Sequence, residues 1–165
     1  MKKLILLLLF IPLVSFGQTY KEVMSIKSSE IFKKVAIENG YEFSQNDGDW
    51  VDYGFNIIKD SINGDRSSKW LYYNTKDDKF ILRFARTSVL NNITNALLNT
   101  SSDENPETPY DLITKDIKEK CKYYKIQSNN GIDFVTYSCS DSSYKGKIGF
   151  AISDGEGIIR HFIPE

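Results

Sequence analysis

The sequence predicts an α+β fold made of two similar units in tandem, each with one or two helices packed on a four-stranded antiparallel β-meander. Three observations predict it. Two amphipathic helix-like segments each precede a set of strand-like runs, each set has four runs, and the hairpin glycines Gly48 and Gly131 occupy corresponding places. Laying a helix on one face of an antiparallel sheet buries the apolar side of both.

The first residues have the pattern of an export signal, and we predict a signal peptide over residues 1–17. Lys2 and Lys3 precede an apolar run, and the small residues Ser15 and Gly17 mark a cleavage site. The alternative is an uncleaved anchor, but the run of eleven residues is shorter than the roughly twenty that span a bilayer. No later stretch is apolar enough to span one. We therefore expect a periplasmic or secreted mature chain without a transmembrane segment.

Composition indicates a folded chain with no electrostatic preference for nucleic acid. Of 165 residues, 13% are aromatic, which supplies ample area for a core. Removing Lys2 and Lys3 from 21 basic residues leaves 19 against 22 acidic ones, a formal charge of −3. So mild a balance predicts neither a nucleic-acid partner nor an anionic membrane surface. The expected partner is a protein or a small ligand of unknown identity.

The first unit is predicted over residues 18–87. Lys21 to Ile26 is compatible with a short helix, and Ser28 or Ser29 is placed to cap a second one that Gly40 ends. Four strand-like runs follow. They are Tyr41 to Ser44, Trp50 to Asn56, Lys69 to Asn74 and Lys79 to Arg86.

A connection over residues 88–107 and a second unit over residues 108–165 complete the chain. The connection is predicted as a short helix, 89–98, and a polar, acidic loop, 99–107. In the second unit Pro109 at the first helical position and Asp111 in a capping box indicate a helix start. Four more strand-like runs follow, namely Lys122 to Ser128, Ile132 to Ser140, Lys145 to Ile152 and Ile158 to Ile163.

The two units are predicted to be an internal repeat on the order of their elements. Gly48 and Gly131 lie 83 residues apart, whereas Phe84 and Phe162 lie 78 apart, and the longer loop 57–68 of the first unit accounts for the difference. In layout alone, tandem units of this shape resemble the β-lactamase inhibitor proteins. No site residue is carried over from that resemblance.

The two cysteines, Cys121 and Cys139, are predicted to form a disulfide bond. Two strand-like runs flank Asn129-Asn130-Gly131, which is typical of a three-residue hairpin loop. If Ser128 faces Ile132, paired positions sum to 260, and Cys121 then lies opposite Cys139. An oxidising compartment favours the bonded state.

A competing interpretation of Cys121 places it on the last turn of a helix, since it continues the stripe of Tyr110, Ile113 and Ile117. A helix packed on the neighbouring strand could also bring the two sulfurs together. A redox-active pair is the functional alternative, but the spacing is not that of a Cys-x-x-Cys motif.

Strand alternation predicts an aromatic surface on one face of the first sheet. Pairing Asn74 with Lys79 places Leu71 and Tyr73 on the helix-facing side. The side chains expected on the outward face are the candidate binding residues, which are Trp50, Trp70, Tyr72 and Arg83. Such residues are enriched at binding interfaces. The alternative is that this face packs on the second unit or on the intervening helix.

Motifs for catalysis are not found, and no catalytic residue, cofactor or metal site is predicted. His161 is expected to be a half-buried histidine with its hydrogen bonds satisfied rather than a general base or a metal ligand. Asp47, Asp49 and Asp52 could offer oxygens to calcium, but their spacing lacks the glutamate of an EF-hand.

The function predicted is an exported, non-catalytic binding or protein-interaction module that uses the aromatic sheet face. An inhibitor of another enzyme is one version of it. The alternative is a small exported hydrolase with acid and base carboxylates, which meet in space rather than in sequence.

Overall fold

The computed structural model of the chain describes residues 18–62, 64–85 and 108–162. These residues form three helices and one eight-stranded antiparallel sheet, a mixed α+β fold. The helices are α1 (Tyr20–Ser25), α2 (Ser29–Glu38) and α3 (Pro109–Lys120). The strands are β1 (Tyr41–Asp47), β2 (Trp50–Phe55), β3 (Lys69–Asn74), β4 (Lys79–Ala85), β5 (Lys122–Asn129), β6 (Ile132–Ser138), β7 (Lys147–Ser153) and β8 (Glu156–Phe162). The predicted signal peptide, connecting helix 89–98 and acidic loop 99–107 lie outside the described residues, as does Ile163.

The strands form one continuous sheet in the order β1-β2-β3-β4-β8-β7-β6-β5. Consecutive strands are neighbours within β1 to β4 and within β5 to β8, and the two sets join where β4 pairs with β8. Sequence patterns predict two meanders but not this junction. The strand β8 therefore lies near the centre of the sheet, and β1 and β5 form its edges.

The predicted helix boundaries are confirmed by their caps. The hydroxyl of Ser28 accepts a hydrogen bond from the backbone N–H of Ile31 at the start of α2. Gly40, with φ of 75°, follows that helix. At the start of α3, Thr108 and Asp111 form the expected capping box, in which each side chain accepts from the other residue's backbone N–H.

The register predicted between β3 and β4 is also confirmed. Asn74 pairs with Lys79, and the pairing continues inward along both strands. Leu71 and Leu82 are fully buried beneath the helices, as strand alternation required.

The Cys121–Cys139 disulfide is present, with 4.5 Å between the two Cα atoms. The predicted register of the adjoining hairpin is wrong by one residue near its turn, where Asn129 pairs with Ile132. The residues between them, Asn130 and Gly131, both have positive φ, as in a two-residue turn. An irregularity between Tyr123 and Lys125 absorbs one residue, and the cysteines regain the predicted alignment.

Cys121 itself ends α3, because its backbone N–H donates to the carbonyl of Ile117. The helical and hairpin interpretations of this cysteine are therefore both partly correct. Its partner lies just beyond the end of β6.

The main core lies between the three helices and one face of the sheet. Phe32 of α2 packs against Tyr73 with 4.8 Å between ring centroids. The helix α1 contacts the second half of the chain, residues 108–162, since the Ser143 backbone N–H donates to the carbonyl of Met24 over 2.8 Å. Within the described ranges, no helix is long and apolar enough to cross a membrane.

Candidate binding site on the open sheet face

The face of the sheet opposite the three helices is called the open face here. All four predicted binding residues lie on it: Trp50, Trp70, Tyr72 and Arg83. Each is partly exposed to solvent. In the described part of the chain the second set of strands does not cover this face, because it extends the same sheet sideways.

The indole of Trp70 rests on the backbone of Gly54. A Cβ atom at this glycine would lie 3.0 Å from the indole and 2.6 Å from Ile57. Trp70 also stacks on Tyr72, with ring centroids 6.1 Å apart and planes 26° apart. Gly54 thus provides the space that holds this aromatic pair against the sheet.

A cavity of about 300 Å³ lies on the open face, and both halves of the chain line it. The first half contributes Trp50, Tyr72, Ile81 and Arg83. The second half contributes Asn129, Asn130, Ile132, Phe134, Ile158 and Arg160. Four strands separate β2 from β6, a distance of roughly 24 Å on a flat sheet. Side chains of both strands nevertheless line one cavity, so the sheet is not flat between them.

Trp70 does not line the cavity, but it stacks on Tyr72, which does. The other three predicted residues, Trp50, Tyr72 and Arg83, all line it. The structure therefore brings together, around a concave space, residues that strand alternation could place only on the same face.

The floor of the cavity belongs to a second, smaller apolar cluster. Phe134, Ile158 and Phe162 are buried there, and Ile81 and Ile132 pack against them. Because this cluster spans the β4–β8 junction, it fixes the two halves together as well as shaping the cavity.

Two guanidinium groups face the cavity. The Arg83 Nε atom lies 3.3 Å from the Glu156 carboxylate, and both side chains are more than a third exposed. The Arg160 guanidinium lies over the rings of Phe134 and Phe162, at 5.7 Å and 5.1 Å from their centroids. It also donates to the side-chain oxygen of Asn129. Burial lowers the pKa of Arg160 from its ordinary value.

Asp52 has the outward parity that was predicted, but it is only 7% exposed. One of its oxygens accepts from the Gln45 amide over 3.1 Å, while the other is buried without a hydrogen bond. Burial is the main reason that the pKa of Asp52 is raised.

His161 lies on the helix-facing side and is 1% exposed, more deeply buried than predicted. Its ring stacks on that of Tyr144, with 3.7 Å between centroids, and packs edge-to-face with Phe80, with 3.9 Å between centroids. Neither ring nitrogen has a hydrogen-bond partner of normal geometry, so the prediction of a hydrogen-bonded histidine is wrong. Burial holds the pKa of His161 well below its ordinary value, and the nearby Asp78 backbone opposes this only in part. An enclosed, neutral imidazole is poorly placed to act as a general base.

The aspartates considered for calcium do not assemble. Asp47 and Asp49 are exposed beside the turn at Gly48, whereas Asp52 is buried against Gln45. Among the described residues there is no group of three or more His, Cys, Asp or Glu side chains that could hold a metal ion.

Sequence reasoning missed the cavity residues of the second half. The alternation of Ile159, Arg160 and His161 places Arg160 on the face opposite its neighbours, and this signal was readable. What could not be read was that β8 pairs with β4, which carries Arg160 next to Ile81.

Comparison with known proteins gives no family to assign. The chain matches no protein-family model, no curated protein and no solved structure.

Proposed function

We propose that this chain is an exported, non-catalytic binding module whose ligand occupies the open face. The observation that carries the proposal is the cavity that Trp50, Tyr72 and Arg83 form with side chains of the second half. Its volume is at the lower end of the range for small-molecule sites, so it suits one or two side chains of a protein partner or a small ligand. Aromatic and arginine side chains are the residues that most often dominate binding energy.

Export is part of the proposal. It is supported by the signal pattern of residues 1–17 and by the disulfide, which is compatible with an extracellular protein. Intact mass of the exported protein tests cleavage before Gln18. A species that retains the first seventeen residues would contradict this part.

Internal duplication is also part of the proposal. It is supported by the strand order, in which each half supplies four consecutive neighbours and the last strands of the two halves pair. If two copies of one unit joined through their last strands, β4 and β8, the open faces of both copies would meet at that junction, where the cavity lies.

Intrinsic fluorescence gives a direct test of binding. The protein has two tryptophans, Trp50 and Trp70, and both are on the open face. Its tryptophan emission therefore reports on this face alone. We expect a partner captured from the envelope fraction of the source organism to change that emission on stoichiometric binding.

A Trp50→Ala variant tests whether the captured partner uses the cavity. It should lower the affinity by about one to three orders of magnitude, because central aromatic anchors dominate binding. Lys34→Ala, on the exposed surface of α2, is the matched control and should leave affinity unchanged. Equal binding by both variants would contradict the proposed site.

The alternative, a small exported hydrolase, has one observation in its favour. Asp52 lies under the open face with a raised pKa, as a general acid would. A second carboxylate near the cavity, Glu156, is paired with Arg83. Turnover on a panel of hydrolase substrates that Asp52→Asn abolishes would favour this alternative over the binding module.

A further inference from the structure

The cavity of the open face carries an unbalanced positive charge. Arg83 and Arg160 line it, and none of the residues that line it is acidic. Arg83 pairs with Ile158 and Ile81 pairs with Arg160, so the two arginines are diagonal neighbours on one face. Such neighbours have Cα atoms about 7–8 Å apart, close enough for both guanidinium groups to reach one ligand.

Arg160 is held in place without a carboxylate partner among the described residues. Its hydrogen bonds go to two neutral oxygens, the side chain of Asn129 and the carbonyl of His161. A guanidinium group has five N–H donors, and these two contacts leave most of them available. Since the group is partly removed from water, an anion that accepts from it would gain more than it would at an exposed site.

Arg83 is the weaker of the two anchors. Its ion pair with Glu156 is partly exposed, and such pairs contribute little. Together Arg83, Arg160 and Glu156 carry a formal charge of +1, which matches a monoanionic carboxylate better than a doubly charged phosphate.

The rest of the lining is apolar or aromatic. Trp50, Ile81 and Phe134 surround the space next to the guanidinium groups, so a ligand must bring an apolar group beside its charge. The volume of about 300 Å³ limits that group to roughly one large side chain.

We propose that the cavity binds a peptide in which a carboxylate adjoins an aromatic or branched apolar side chain. The carboxylate accepts from Arg160, with Arg83 in support, and the apolar side chain packs on Trp50 and Phe134. This inference rests on the proposed function, since it names the chemistry of the ligand that the open face takes.

Short peptides test the inference directly. The probe is acetyl-Ala-Ala-Phe with a free terminal carboxylate, and its C-terminal amide is the neutral match. A second pair, acetyl-Ala-Glu-Phe-Ala amide and its Gln analogue, presents the carboxylate on a side chain instead. Within at least one pair we expect the acid to bind at least about tenfold more tightly, by calorimetry and tryptophan emission. The pair that discriminates identifies the source of the carboxylate.

Variants of the two arginines assign the preference to the cavity. Arg160→Gln should reduce the acid to the affinity of its neutral match, and Arg83→Gln should weaken it less. Arg66→Gln is the matched control, because this exposed arginine pairs with Asp60 on a loop and does not line the cavity. This control should leave the affinities for the acid and for its neutral match unchanged.

Asn129→Asp guards against a variant that simply misfolds. This substitution replaces the amide that contacts Arg160 by a carboxylate, which competes with the peptide for the guanidinium group. The protein should become more resistant to denaturant, while peptide binding should weaken about tenfold or more.

Equal affinity for acid and neutral peptides, or no saturable binding up to about 10 mM, would overturn the inference. So would full binding by Arg160→Gln. If the peptides failed in this way but Trp50→Ala still weakened the binding of a captured partner, the proposed function would stand without this inference. If neither peptide nor partner responded to changes in the cavity, both would fail.

Discussion

The ring of Tyr110 in α3 lies directly against Gly157 of β8. A Cβ atom at position 157 would come within 2.5 Å of the ring carbon Cδ2. The Tyr110 hydroxyl donates to the carbonyl of Ala151 on the neighbouring strand over 2.9 Å. This contact fixes the start of α3 over the centre of the sheet, and it makes the absence of a side chain at position 157 a packing requirement.

Replacing Gly157 by Ala should therefore destabilise the protein by about 1–3 kcal/mol, because the added methyl group displaces the Tyr110 ring. Denaturant unfolding measures the change. In a Tyr110→Leu background the same substitution should cost clearly less, because the obstructing ring is gone. Equal costs in both backgrounds would show that the contact is not responsible.

His161 should make the protein less stable in acid. The unfolded chain protonates this imidazole near pH 6.5, whereas burial keeps it neutral in the folded protein to a much lower pH. The free energy of unfolding is thus unaffected by this group above about pH 6.5. Below it, stability falls by about 1.4 kcal/mol per pH unit until the folded group itself titrates.

His161→Phe provides the comparison, since a phenyl ring can occupy the space between Tyr144 and Phe80. Unfolding curves between pH 7 and about pH 5 should show a steeper decline for the natural protein. The carboxylates titrate alike in both proteins, so the difference between the two pH dependences is due to the imidazole. Parallel curves would contradict the prediction.

Reduction of the Cys121–Cys139 bond should cost about 3 kcal/mol, since it frees a loop with a sequence separation of 18. Thiol labelling of the denatured, unreduced protein should find no free thiol. A Cys121→Ser/Cys139→Ser variant should resemble the reduced protein, and reductant should not change its stability further. Two reactive thiols per chain would defeat the prediction.

Two neighbouring residues on β3 should respond differently to truncation, because they face opposite sides of the sheet. Leu71→Ala removes a fully buried side chain and should cost about 2–5 kcal/mol. Trp70→Ala removes a partly exposed one and should cost less, about 1–2 kcal/mol. Denaturation midpoints measure both. A larger loss for Trp70 would mean that the open face is part of the core rather than a free surface.

Local features were predictable because the forces that set them act over a few residues. The capping box of Thr108 and Asp111 and the pairing of Asn74 with Lys79 depend only on neighbours in sequence. The disulfide followed from the same local alignment, even though the turn at Asn130 and Gly131 is one residue shorter than predicted.

Features that join the two halves were not predictable from periodicity. Alternation assigns Arg160 to a face but does not name the strand beside it, and the β4–β8 pairing decides that Arg160 shares a cavity with Tyr72. Gly157 illustrates the same limit. The close spacing of Gly155 and Gly157 is typical of a turn, yet Gly157 lies within β8 under an aromatic ring from α3.

The central position of β8 has a consequence for how the protein is assembled. Among the eight strands of the described residues it comes last in chain order, yet it pairs with β4 on one side and β7 on the other. Until β8 is added, β4 and β7 each present an open row of backbone donors and acceptors, the kind of edge that recruits strands from other molecules. The vulnerable period of a newly made chain therefore lasts until β8 is available. A chain shortened before residue 156 would keep two such edges permanently.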